Sequence, residues 1–90
     1  ASTDQRSDIY AFGGTLYFLL TETPPPPAWK RASEGVIPTP PAQLNDSVTP
    51  DFDALVMRMM ALKREDRPQS IAEIRAELGR ITASPSAPLQ

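Results

Sequence analysis

Apolar residues gather into three helix-forming stretches, and prolines break the chain between them. The first stretch covers residues 7–21. Its Ile9, Tyr10, Phe12, Leu16, Tyr17, Phe18, Leu19 and Leu20 point in every direction around a helical wheel. Ser7 is suited to cap this helix, and Asp8 in its first turn suits the positive end of the helix dipole. A helix that is apolar all round needs cover on every side, so this one is built as the centre of something larger. Pro24, Pro25, Pro26 and Pro27 then stop it, because proline lacks the N–H and clashes with the preceding turn.

A short helix around Trp29, over about 27–35, is expected to close at Gly35. Residues 36–48, rich in Pro, Asn and Asp, read as loop. Thr49 and Pro50 then open a second clear helix over 50–63, a threonine cap followed by proline at the first helical position. Phe52, Leu55, Val56, Met59 and Leu62 make its single apolar stripe, and Lys63 and Arg64 fall at its end, where cations are favoured. The third helix, 70–81, starts with a capping box in which Ser70 and Glu73 satisfy each other's backbone donors. Ile71, Ile74, Leu78 and Ile81 form its buried stripe, opposite a solvated face of Glu73, Arg75, Glu77 and Arg80. Residues 82–90 have linker composition, rich in Ser, Pro and Ala, and are expected to be disordered. The fold class is therefore all-α.

Ninety residues suffice for one domain with a marginal core, and the usual reinforcements are missing, because the chain has no Cys and no His. That excludes Cys/His zinc sites, a thiol nucleophile and a histidine base. A net charge of -2 with no dense Lys/Arg face argues against nucleic acid as a partner. The most apolar run, residues 9–20, is too short for a bilayer, which needs roughly 20 residues. Absence of Cys and of a secretory signal fits a cytoplasmic protein, and the opening Ala-Ser-Thr-Asp, without Met, reads as a processed or truncated product.

Three signals, in order, resemble the end of a eukaryotic-like Ser/Thr protein kinase domain of the kind common in bacteria. Arg6-Ser7-Asp8-Ile9-Tyr10-Ala11-Phe12-Gly13, continuing through Thr15-Leu16-Tyr17 and Leu19-Leu20-Thr21 to Pro24-Pro25, looks like the family's central helix F and the loop after it. Asp53 to Ala61 looks like helix H. Glu65-Asp66-Arg67-Pro68-Gln69-Ser70, leading into Ile71 to Leu78, looks like the Asp-Arg-Pro element and the last helix, I. The resemblance implies an incomplete C-terminal helical subdomain over 1–81, with helix F at about 7–21, the helix G region at about 27–35, helix H at about 50–63 and helix I at about 70–81.

It also implies roles. Asp8 matches the helix F aspartate that accepts hydrogen bonds from the catalytic-loop backbone; a carboxylate at a helix N-terminus suits several N–H donors. Arg67 matches the arginine that clamps a glutamate ending the activation segment, a task for which guanidinium is the right group. That glutamate, in an Ala-Pro-Glu motif, would lie before Ala1, and without it Arg67 also reads as a surface arginine in the charged turn 63–67. Thr15 and Leu19 match positions that anchor the hydrophobic spine, Leu19 better than the less apolar Thr15; plain core packing is the simpler reading of both. Trp29 falls where helix G offers family members a docking surface, or else covers the edge of the core. Glu22 and Pro26 stand where the family often has Gly and Phe, Arg64 replaces a frequent Pro, and Gly14 inside the helix costs about 1 kcal/mol against Ala.

The Gly-rich loop, strand lysine, catalytic-loop Asp and Asn, and metal-binding Asp of phosphoryl transfer are all missing from these 90 residues. The expectation is a kinase segment with no catalytic residue, cofactor or metal of its own, under a parent that uses ATP and magnesium on protein Ser and Thr. Its partners would be the rest of the kinase domain and, if that is lost, other copies of itself. The alternative is a stand-alone helical interaction module that uses the apolar first helix or the Pro-rich segments.

Overall fold

The computed structural model describes residues 4–82. Five α-helices follow one another: α1 Gln5–Thr21, α2 Ala28–Glu34, α3 Pro41–Leu44, α4 Pro50–Met59 and α5 Ile71–Thr82, with a 3-10 turn at Arg64–Asp66 before the last. Among the described residues there is no strand.

The core forms where α4 lies across α1 and α5 closes over α4. Ile9 of α1 meets Leu55 and Met59 of α4 and Ile74 of α5, while Tyr17 packs with Val56 and Met60. Leu16 and Phe52 border both groups. Burying such side chains stabilises by roughly 1.5–3 kcal/mol each, and this small set is most of what holds the chain together. Gly13 permits the crossing. A Cβ built there would stand 2.8 Å from Met59 Cβ and 3.1 Å from Met60 Cγ, so only a hydrogen fits between the helices.

The proline-rich connection is tied down by polar contacts. The Tyr17 hydroxyl donates to Thr39 O at 2.7 Å, and its burial pushes the phenol pKa upward. Asn45 Nδ2 donates to Leu20 O at 2.9 Å, and Ala42 N–H donates to Asp53 Oδ2 at 3.0 Å. These bonds hold a single turn, α3, inside the segment expected to be loop, with Pro41 at its N-terminus and buried. Pairing of the chain's orphan backbone groups by distant residues was not readable from local pattern.

Several helix ends differ from the sequence expectation. Asp4, not Ser7, caps α1: its Oδ1 accepts the Arg6 N–H at 2.8 Å, and the helix begins two residues early. α4 stops at Met59 instead of 63, because guanidinium groups capture the carbonyls that follow. Arg31 Nη1 donates to Met60 O at 2.7 Å, Arg67 Nε to Ala61 O at 2.7 Å, and Arg67 Nη2 to Leu62 O at 3.3 Å. Lys63 and Arg64 consequently lie beyond the helix. At α5, Ser70 Oγ accepts from Glu73 N–H at 3.1 Å as expected, but Glu73 Oε1 accepts from Gln69 N–H at 2.7 Å, one residue before the box. Gly35 does close α2, in the left-handed region at φ 70. Thr82 belongs to α5, and the rest of the expected disordered linker, 83–90, lies outside the described residues.

Two glycines of α1 should behave oppositely. Gly13→Ala is expected to destabilise by about 1–3 kcal/mol through overpacking against α4. Gly14→Ala meets only Pro25 Cγ at 3.6 Å, an ordinary contact, and should gain about 1 kcal/mol of helix propensity. Glu22 caps α1 with φ 57, so Glu22→Gly relieves a left-handed side-chain penalty and should add about 0.5–1 kcal/mol. Urea midpoints of the three variants check the ordering.

Candidate functional site

One side of α1 is uncovered. Asp8, Ala11, Phe12, Thr15, Phe18, Leu19 and Glu22 follow three- and four-residue steps and are all exposed. Phe12 and Phe18 are each 49% exposed and Leu19 67%. The opposite stripe, Ile9, Gly13 and Tyr17, is the one buried against α4. The helix that is apolar all round is thus covered on one side within this chain. Three of the residues singled out from the sequence, Asp8, Thr15 and Leu19, fall together on its open stripe.

Their surroundings differ. Asp8 makes no side-chain hydrogen bond or ion pair among the described residues and faces solvent one turn into α1. Thr15 Oγ1 donates back to Ala11 O at 3.1 Å, which satisfies the hydroxyl within the helix. Leu19 has no such internal use, and a leucine so exposed on a helix with a buried opposite face is available for packing. Trp29 stands apart on α2, 65% exposed, so it does not cover the core edge.

Arg67 is the buried charged residue among the described residues, 8% exposed. The surface-arginine reading is therefore overturned. Besides the two carbonyls that end α4, its Nη1 donates to Arg6 O at 2.9 Å, and its guanidinium stacks 4.7 Å from the centroid of Tyr10. Burial lowers its pKa, opposed by the Tyr10 and Asp4 side chains; an arginine still stays protonated. The three stretches that carry the resemblance meet at this one side chain: Arg6 at the start of α1, Ala61 after α4, and Arg67 itself before α5. A pocket of ≈ 220 Å³ opens beside it, lined by Ser7, Tyr10, Ala28, Leu62, Arg64 and Arg67. Three of the five guanidinium N–H donors are used by the carbonyls, which leaves two without an acceptor among the described residues.

No family model matches the chain. Curated proteins do. The Serine/threonine-protein kinase PknB of Mycobacterium leprae is 38% identical over 96 aligned positions, which take in 97% of this chain. PknB of Mycolicibacterium smegmatis is 37% identical over 89% of it, and the probable PknB of Corynebacterium glutamicum 38% over 88%. Over most of its length the chain is homologous to a stretch of bacterial Ser/Thr protein kinases. It spans only 14–15% of the length of these relatives. The all-helical architecture agrees with the helical C-terminal subdomain of such a kinase.

In this kinase segment, Arg31 was the residue that sequence reasoning missed. It reaches from α2 to Met60 O and, at 3.4 Å, to the Tyr10 hydroxyl, so it joins the helix G region to the Arg67 cluster. Its neighbours Lys30 and Ala32 offer no signal for that, because Met60 lies 29 positions away. Asp4 did carry a signal, as a good cap residue just before the apolar block. Among the described residues, no group of three or more His, Cys, Asp or Glu side chains could hold a metal ion, and no helix is long and apolar enough to cross a membrane.

Replacing Arg67 strands three carbonyls at once. Arg67→Met is expected to lower stability by about 3 kcal/mol, and Arg67→Lys to recover little, because a point ammonium cannot reach three acceptors in a fork. Exposed Arg75→Ala should stay within about 0.5 kcal/mol of the parent. Denaturant titration followed by helical circular dichroism separates these outcomes.

Proposed function

We propose that this chain is the scaffold beneath the catalytic loop of a Ser/Thr protein kinase whose full-length form transfers the γ-phosphoryl group of ATP to protein hydroxyls in the cytoplasm. The observation that carries the reading is the open stripe of α1, on which Asp8, Phe12, Thr15, Phe18 and Leu19 line up facing away from the chain's own core. A stripe this apolar in a chain this short is a contact surface for more protein. In the proposed arrangement Asp8, whose oxygens have no partner among the described residues, accepts backbone N–H groups of the catalytic loop and so fixes where that loop's reactive side chains stand. Leu19, with Thr15 beside it, supports the base of the hydrophobic spine.

Arg67 has a second task in the same arrangement. Its two remaining N–H donors, at the wall of the pocket between Tyr10 and Arg64, take the carboxylate that ends the activation segment. Since the same guanidinium already holds α1, α4 and the approach to α5, the activation segment is tied to the rigid part of the lobe. Trp29, exposed on α2, serves as a docking point for protein partners. ATP and magnesium do not fit the residues present: no phosphate-cradling loop and no carboxylate cluster is available among the described residues, so both belong to the remainder of the kinase.

Two measurements test this. The isolated 90-residue chain should bind an apolar dye and self-associate as concentration rises, because its stripe is uncovered; a compact monomer with a sharp melting transition at all concentrations would overturn the proposal. In the full-length kinase, Asp8→Asn keeps the size but weakens an N–H acceptor, and should reduce kcat by about tenfold or more, equal to 1.4 kcal/mol or more of barrier, with unchanged helical content. Full activity in that variant would remove Asp8 from the support of the catalytic loop.

A further inference from the structure

Between α1 and α2 the chain runs Thr23-Pro24-Pro25-Pro26-Pro27, and the chemistry of proline dictates its shape. Each ring sets φ near -65°, and each residue before a proline is pushed out of the α region, so Pro24, Pro25 and Pro26 are restricted twice over. Pro27, the N-cap of α2, has φ -60 and ψ 148, within the polyproline II range of about -75°, +145°. All peptide bonds among the described residues are trans, as that helix requires.

Polyproline II has three residues per turn, so positions three apart share an edge. Pro24 and Pro27 are both exposed, whereas Pro25 and Pro26 are half-buried. The inward anchor is visible at Gly14 of α1, where Pro25 Cγ lies 3.6 Å from the place a Cβ would occupy. The segment is therefore held against the body of the chain on one side and presents the Pro24–Pro27 edge to solvent on the other. Lys30, exposed one turn into α2, stands three residues beyond Pro27 and has no ion-pair partner among the described residues. Rigid prolines at this spacing, followed by a free cation, are the chemistry that aromatic-lined grooves with an acidic rim recognise, since little conformational entropy is lost on docking.

We infer that the Pro24–Pro27 edge with Lys30 is a docking site for a protein domain bearing an aromatic-lined polyproline groove flanked by carboxylates. The site is separate from the open stripe of α1 and does not depend on how that stripe is covered. The occupant is a polyproline-reading domain because the exposed ring pair supplies shape and flat apolar faces, and Lys30 supplies one charge of the matching sign.

The test passes an SH3 domain with an acidic rim over the immobilised 90-residue chain. Saturable binding is expected. Pro24→Ala and Pro27→Ala should each weaken it by about tenfold or more, Lys30→Glu should weaken it and remove the loss of affinity with rising salt, and all three should keep the parent's helical circular dichroism. A free proline-rich peptide should compete. No binding, or binding that survives the combined Pro24→Ala, Pro27→Ala and Lys30→Glu changes, overturns the inference. Because Lys30 is exposed and holds up no neighbour, its variant stays informative even if a proline change disturbs the fold.

Discussion

The Arg67 guanidinium donates to the carbonyls of Arg6, Ala61 and Leu62 and stacks on Tyr10, and the arrangement of the helices follows from that one set of contacts. Arg6 belongs to the first turn of α1, Ala61 and Leu62 to the chain leaving α4, and Arg67 to the approach to α5. A buried cation surrounded by carbonyls is tolerated only while every acceptor is in place. It therefore pins the relative positions of three helices whose packing energy comes from the buried apolar side chains. Arg31 repeats the device on a smaller scale by joining α2 to Met60 O. The long helix expected over 50–63 ends at Met59 for the same reason: its last carbonyls are spoken for by arginines from elsewhere in the chain.

With the helices held this way, α1 is left half covered. One stripe meets α4 so closely that Gly13 has room for nothing but hydrogen, and the opposite stripe carries Phe12, Phe18 and Leu19 into solvent. A helix that is apolar on both faces thus sits at the edge of this chain. Asp8, Thr15 and Leu19, which the kinase resemblance singles out on this helix, all lie on that outer side. The stability of the chain thus draws on one face of α1, and the proposed contact with the rest of a kinase on the other.

The connection between α1 and α4 shows how a segment without long helices is still ordered. Four prolines stiffen its start, and hydrogen bonds from Tyr17, Asn45 and Ala42 fasten the remainder to α1 and α4. Rigidity at the start is a local, covalent property; the fastening is tertiary. The first is what makes the exposed Pro24–Pro27 edge a persistent shape and not one conformer among many.

Much of this was legible in the residues. Apolar spacing placed α1, α4 and α5, Gly35 and Thr49 marked ends that the structure keeps, and the motif order carried the kinase resemblance that the curated relatives share. Those features depend on neighbours within a few positions, where propensity, capping and proline geometry act. The end of α4, the single turn α3, the choice of Asp4 over Ser7 as cap and the burial of Arg67 all depend on partners far away in sequence: Arg67 Nη1 meets Arg6 O across 61 positions. A one-dimensional pattern can show that a guanidinium is present, but only packing in three dimensions decides whether water or three carbonyls will surround it.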